Sequence, residues 1–246
     1  PASIRQTLHS GSSNLCADNG LDLGIEPHFR DLGDLQFEPN IATFLQAEEQ
    51  VGSVLDRGAR LITLGGDHAI TYPVLRAYHT HYPELNLLHL DAHPDLYDEY
   101  EGNRLSHACP FARIMEENLV TRLVQIGIRT MSPHQRAQAD RFGVEVIDMV
   151  KWQPGSSVEF QGPVYLSLDM DVLDPAFAPG VSHPEPGGLS SRDVIRLIQG
   201  LSAPLVGADI VEVNPERDPL GITAAAAAKF LKEIAACMLR SGRSGA

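Results

Sequence analysis

Leu85-Asn86-Leu87-Leu88-His89-Leu90-Asp91-Ala92-His93-Pro94-Asp95 is a short apolar run that stops abruptly in acids and imidazoles. A near-continuous apolar run of this length, bounded by turn residues, suits a strand covered on both faces. The same design recurs at Leu61–Leu64, Leu123–Ile128, Val144–Ile147, Val164–Leu168 and Leu205–Val213. Helical patterns fall between the runs, at Ile41–Arg57, Val74–His81, Pro110–Glu117, His134–Phe142, Arg192–Leu201 and Thr223–Leu239, and Pro1–Arg5 reads as a helix start. Ser190 and Ser191 followed by Asp193 mark an N-cap and first turn. Strand and helix in alternation imply an α/β fold with a parallel sheet and helices on both faces. The tail Ser241–Ala246 is small and polar and is expected to fray.

The chain of 246 residues suits one α/β domain spanning 1–246. A formal net charge of −13 argues against nucleic acid or an anionic membrane as partner, since both attract basic surfaces. It is compatible with cationic ligands or metal ions. No run reaches the roughly eighteen apolar residues of a membrane span. Cys16, Cys109 and Cys237 are odd in number and widely spaced, which fits reduced thiols in a cytoplasmic compartment. The sequence starts at Pro1 without a Met or a targeting segment, which leaves an upstream leader and an organellar matrix open.

Three strand ends carry the same kind of chemistry. One ends in Gly65-Gly66-Asp67-His68, a second in Asp91-Ala92-His93-Pro94-Asp95, a third in Asp169-Met170-Asp171 with Asp174-Pro175 following. The carboxyl ends of parallel strands share one ligand crevice, so His68, Asp91, His93, Asp95, Asp169 and Asp171 are candidates to converge there. Asp91 and His93 are two apart, as are Asp169 and Asp171, and each pair leaves one face of an extended chain. Gathered carboxylates and imidazoles repel and desolvate one another unless cations are present, and two divalent metals answer that. Carboxylate-rich ligation with some imidazole favours Mn2+ and leaves Zn2+, Co2+ and Fe2+ open.

These segments resemble the arginase–agmatinase (ureohydrolase) family. The resemblance runs from Pro1 to the last helix and includes Ser167–Pro175, Ala176–Gly180 and Glu212-Val213-Asn214-Pro215. His93–Met115 and Val181–Ser190 look closest to plant-type arginases and bacterial agmatinases. The resemblance implies a three-layer α/β/α sandwich around a mainly parallel sheet, assembled as a homotrimer or homohexamer. It implies two Mn2+ per subunit: one held by His68, Asp91, Asp95 and Asp169, the other by Asp91, His93, Asp169 and Asp171. It also places His107 as a proton-moving histidine and Glu212 as the carboxylate that holds a substrate guanidinium.

The chemistry agrees. Paired cations about 3.5–4 Å apart can activate a shared water near neutral pH. Asp95 is suited to orient that water. The leaving amine needs a proton, which a histidine can give near neutrality, and Glu212 matches a guanidinium fork. The expected activity is hydrolysis of a small cationic guanidino compound with release of urea. Other readings are a different guanidino hydrolase and a catalytically silent metal-binding subunit on the same fold.

Three departures bear on the substrate and the sheet. The family's first strand and the glycine-rich turn before Pro1 are lacking here; if they are truly absent the sheet would lose a strand near its centre, so missing sequence or an atypical start is expected. Where animal-type arginases carry an Asn for the substrate carboxylate, Leu96-Tyr97 stand here, and His183 replaces a small Thr. Asp98, Glu99 and Glu101 are expected to make an acidic pocket rim that favours agmatine over arginine, with Asn103, Arg104 and His183 as substrate contacts that would reverse the order.

Overall fold

The computed structural model describes residues 1–38 and 42–243. Seven α-helices and six strands alternate along those residues: α1 (Ala2–Leu8), α2 (Thr43–Leu55), β1 (Ile62–Leu64), α3 (Thr71–His81), β2 (Asn86–Leu90), α4 (Pro110–Glu116), β3 (Arg122–Ile126), α5 (Pro133–Phe142), β4 (Glu145–Ile147), β5 (Val164–Asp169), α6 (Ser191–Gly200), β6 (Leu205–Val211) and α7 (Ile222–Arg243). Each expected run and helical pattern yields its element, with ends shifted by a few residues. Ile41, the expected start of α2, lies outside the described residues. The last helix runs past Leu239 to Arg243, so the tail expected to fray is helical in its first residues.

All strand pairings are parallel, in the order β1-β6-β5-β2-β3-β4. Among the described residues the sheet is continuous from β1 to β4. β2, β5 and β6 are buried along their whole length, β3 is buried in all but Arg122, and the edge strands β1 and β4 are partly open. Alternate side chains on the strands serve opposite layers, as period-two geometry requires. Leu88, Leu90, Val124, Ile126, Leu166 and Leu168 pack with α1, α6 and α7. Leu87, Leu123, Tyr165 and Val206 pack with α2, α3, α4 and α5. The result is a three-layer α/β/α sandwich.

Helix boundaries follow local chemistry. Ser132 and Gln135 close a capping box at the start of α5, and Gly143 ends it in the left-handed conformation. Ser190 and Asp193 do the same for α6, as the sequence predicts. The chain leaves β2 for β3 and β4 on one side, then returns through β5 on the other. That reversal between β2 and β5 is the place where a parallel α/β sheet opens a crevice beyond its strand ends.

Candidate active site

Each of the three motifs leaves its strand through a tight turn closed by one of its own carboxylates. Asp67 Oδ1 accepts from the Ala69 N–H (3.2 Å) and starts a 3-10 turn over His68–Ile70. Asp91 Oδ1 accepts from the His93 N–H (2.6 Å). Asp169 Oδ1 accepts from the Asp171 N–H (2.8 Å) at a 3-10 turn over Met170–Val172. Asp171 Oδ1 accepts from the Ala92 N–H (3.1 Å) and ties the second and third turns together. For Asp91, Asp169 and Asp171, one oxygen thus shapes the backbone while Oδ2 remains for the centre of the cluster.

The six candidate ligands come together at the β2–β5 crevice. His68 Nδ1 lies 3.2 Å from Asp91 Oδ2, 3.1 Å from Asp95 Oδ2 and 3.2 Å from Asp169 Oδ2. His93 Nδ1 lies 3.0 Å from Asp171 Oδ2 and 3.4 Å from Asp91 Oδ1. Asp91 therefore turns one oxygen to each group, and Asp169 joins the second group through its bond to Asp171. The donor set fits divalent cations. His68 Nδ1 is buried and has no hydrogen-bond partner although three carboxylate oxygens surround it. Ligand atoms bonded at about 2.1 Å to one ion lie about 3 Å apart, which is the spacing found. The lone pair of an imidazole nitrogen faces a shared centre there instead of a donor.

The electrostatics carry the same signature. Burial would lower the His68 pKa, yet the carboxylates of Asp169, Asp91 and Asp95 hold it well above its ordinary value. His93 resists burial likewise and is raised to about 12 by Asp171 and Asp91. Burial, then the charges of Asp171 and Asp91, pushes Asp169 well up. Burial and the Asp91 charge bring Asp171 to about 6. The protein alone must hold protons where cations would otherwise balance the charge.

Above the cluster opens a chamber of about 200 Å³ lined by His93, Asp95, Asp169, Asp171, Tyr97, Tyr100, His107, Ala108, Thr130, Gln135, His183 and Glu212. Glu212 follows β6 with φ +63°, a left-handed conformation rare for a side chain other than glycine, and Asp95 has φ +48°. Glu212 Oε1 accepts from the His68 N–H (2.9 Å), which brings the carboxylate beside the cluster. Burial raises its pKa to about 7. His107 and His183 stack with ring centroids 5.5 Å apart, and His93 meets His183 edge-on at 6.1 Å.

Asn103, Arg104 and Asp98, all expected at the rim, are engaged elsewhere. Asn103 does not line the chamber: it is exposed, and its Oδ1 accepts from the Leu105 N–H (2.9 Å). Arg104 is also turned away, bonded to Asp98 (2.5 Å) and Glu116 (3.0 Å). Asp98 is neutralised by Arg104 and by Arg113 (3.0 Å), so it does not make the rim acidic. Beyond the cluster residues and Glu212, the chamber wall is formed by Tyr97, Tyr100, His107, Ala108, Thr130, Gln135 and His183.

Several supporting residues escaped the sequence reading. His68 Nε2 meets Ser167 Oγ (2.9 Å), which donates to Asp209 Oδ1 (2.7 Å); Thr71 and Tyr165 donate to Asp209 Oδ2 (3.0 and 2.9 Å). Asp209 is fully buried, and this relay keeps the hydrogen of His68 on Nε2. His89 Nε2 lies 2.8 Å from Asp91 Oδ2. The Arg129 guanidinium donates to backbone carbonyls on both sides of the third turn, including Asp171 O (2.7 Å) and Glu185 O (2.6 Å). Of these, only the polar residues inside apolar runs gave a signal in the sequence.

Residues 1–237 match the profile of the arginase family. "Arginase 1, mitochondrial" of Arabidopsis thaliana is 42% identical over 96% of this chain and 74% of its own length. An agmatinase of Serratia proteamaculans is 38% identical over 93% of this chain and 77% of its own. The solved arginase of Medicago truncatula superposes with a TM-score of 0.90 at 40% identity, covering 97% of this chain and 80% of that one. With the parallel sandwich and the strand-end cluster, these likenesses establish that the chain belongs to the arginase family.

Proposed function

We propose that this arginase-family hydrolase converts L-arginine to ornithine and urea with two Mn2+ ions, held by His68, Asp91, Asp95 and Asp169 and by Asp91, His93, Asp169 and Asp171. The observation that carries the reading is the orphaned Nδ1 of His68 among three carboxylate oxygens, next to a second group that shares Asp91. When bound, the cation pair supplies the Lewis acidity that makes water a nucleophile near neutral pH.

The chain's own residues do the rest. Glu212 accepts two N–H groups of the guanidinium and presents its planar carbon to the cluster. The guanidinium's charge favours ionised Glu212, offsetting the burial that raises its pKa. Asp95, whose strained backbone turns it toward the chamber, accepts a hydrogen bond from the attacking water. His107 lines the chamber and gives a proton to the departing amine.

Arginine is favoured over agmatine by the wall. Tyr97, Tyr100, Thr130 and Gln135 line the chamber and carry the neutral donors that a substrate carboxylate would need. The Gln135 oxygen is already used by the Ser132 N–H (3.1 Å). Asp98, one of the acids expected at the rim, is paired with Arg104 and Arg113. The relatives named arginase point the same way. Assembly as trimers or hexamers is part of this reading, by family likeness.

The test is urea release from arginine, agmatine and 3-guanidinopropionate by Mn2+-loaded protein. We expect kcat/KM to be highest for arginine. A clear agmatine preference would reverse the substrate assignment, and no turnover of any would support a silent metal-binding protein.

A further inference from the structure

Gln125 on β3, His89 on β2, Ser167 on β5 and Asp209 on β6 are successive register partners across the middle of the sheet. All four are fully buried. The row lies two residues before Asp91 and Asp169, on the same face of β2 and β5. Polar groups at such a depth are costly unless they are bonded to something that needs them. Asp209 and Ser167 reach His68, as described above. The opposite end of the row runs to Asp91.

One atom fixes the direction of that second chain. The Pro94 carbonyl can only accept, so the N–H2 of Gln125 faces it (2.7 Å). The same N–H2 lies 3.0 Å from His89 Nδ1, which must then accept as well. The ring hydrogen of His89 is therefore on Nε2 and is donated to Asp91 Oδ2 (2.8 Å). Phe111 stacks on the His89 ring with centroids 3.7 Å apart and blocks its rotation. Gln125 Oε1 is left buried without a partner, a cost that packing alone would avoid. Pro94 sits between His93 and Asp95, so Gln125 also pins the loop that carries both.

We propose that Gln125 and His89 are positioning residues for the cation cluster: Gln125 sets the tautomer of His89, and His89 sets which lone pair of Asp91 Oδ2 is left for the cation on the His68 side. The proposal rests on the two-cation reading above. His89 lies near enough to His68 and Asp91 to be taken for a ligand, but both its ring nitrogens are already engaged. Its contribution is orientation: a carboxylate oxygen with one lone pair occupied offers the other in a fixed direction.

The experiment uses full-length metal-free protein and MnCl2 as the probe. Calorimetric titration gives stoichiometry and stepwise affinity, 15N NMR of the imidazole rings gives the His89 tautomer, and circular dichroism with a melt reports folding. Gln125→Met conserves volume and keeps His89; His89→Phe removes the donor; His89→Gln restores an N–H near the place of Nε2. Wild type should take two Mn2+ and show the Nε2–H tautomer at His89. Gln125→Met should move the tautomer toward Nδ1–H and weaken the first-group cation about 10- to 100-fold, with His89→Phe showing the same loss. His89→Gln should recover most of it. Should His89→Phe not fold, Gln125→Met still answers through tautomer and affinity. Two tightly bound Mn2+ in Gln125→Met with an unchanged tautomer would overturn this proposal alone. Fewer than two Mn2+ in wild type would instead overturn the two-cation reading on which it rests.

Discussion

His68 Nδ1 lies 3.1 Å from Asp95 Oδ2, yet no hydrogen bond joins them. A buried nitrogen so close to an acid would take a proton or a metal, and the Ser167–Asp209 relay keeps the ring's hydrogen on the far side. Asp169 is tied to both parts of this geometry. It faces His68 at 3.2 Å and supports Asp171 through its other oxygen. Asp169→Asn keeps the size and the turn bond but removes a negative charge. We expect both Mn2+ occupancy by elemental analysis and kcat to fall by at least about tenfold. Full occupancy of two ions in the variant would remove Asp169 from the shared position.

Cation removal should make stability depend on pH in a definite direction. In the metal-free protein burial lifts Asp171 to about 6 and Glu212 to about 7, above their ordinary values near 4. A raised folded-state pKa stabilises fully below the unfolded value and loses that contribution as pH rises through the folded one. His68 and His93 are raised as well and act in the same sense above about pH 6.5. Between pH 5 and 8 these groups should destabilise the metal-free protein progressively. Mn2+ takes the place of the protons, so its effect on Tm should be larger at pH 8 than at pH 5.5. Proton release should appear as a buffer-dependent binding enthalpy. Equal Tm shifts at both pH values would contradict the charge balance described for the cluster.

His107 should behave as a residue of the reaction and not of the cation cluster. It lines the chamber and stacks on His183, and no ion pair joins it to the carboxylates among the described residues. His107→Asn should retain two Mn2+ and lose about 100-fold or more in kcat, the usual scale of general acid catalysis. Added imidazole should restore part of the rate. A variant that loses an ion would assign His107 to the cluster instead.

The sequence made the candidate ligands legible because each stands at the abrupt end of an apolar run, where a parallel sheet opens its crevice. Asp91 and Asp169 could be placed on adjacent ground without knowing the strand order. The row beneath them could not. His89, Gln125, Ser167 and Asp209 are single polar residues inside runs read as strands, and a lone polar residue says nothing of its neighbours until the register is known. The pairing of Asp98 was illegible for a related reason. Asp98 is close to Asp95 in sequence, but its charge is satisfied by Arg104 and by Arg113, which lies on α4. Proximity along the chain gave the charges; only the fold gave their partners. Glu212 was marked by family resemblance, while its left-handed backbone is invisible in the sequence.

Gly127 offers a test of how tightly the backbone around Asp91 is specified. It follows β3 with φ +100°, and a Cβ built there would lie 2.6 Å from Val172 Cγ2 and 2.8 Å from the Asp91 carbonyl oxygen. The Val172 methyl can shift, but the Asp91 backbone cannot easily, because its N–H is held by Ile126 O (3.1 Å). Gly127→Ala therefore combines a strained φ with pressure on the residue that serves both cation groups. The strain alone costs about 1–3 kcal/mol, and the push displaces Asp91 relative to His68 and His93. Gly143 is the matched control: its φ is +66°, and nothing lies within 4 Å of an added Cβ. Gly143→Ala should lose about 1 kcal/mol through the left-handed conformation at the end of α5 and bind Mn2+ as wild type does. Gly127→Ala should lose more stability and also bind Mn2+ more weakly, by calorimetry on the metal-free proteins. If the two variants lose stability yet bind Mn2+ equally well, the position of Asp91 is set by its side-chain bonds to His93 and His89 and not by the packing of its carbonyl against β3.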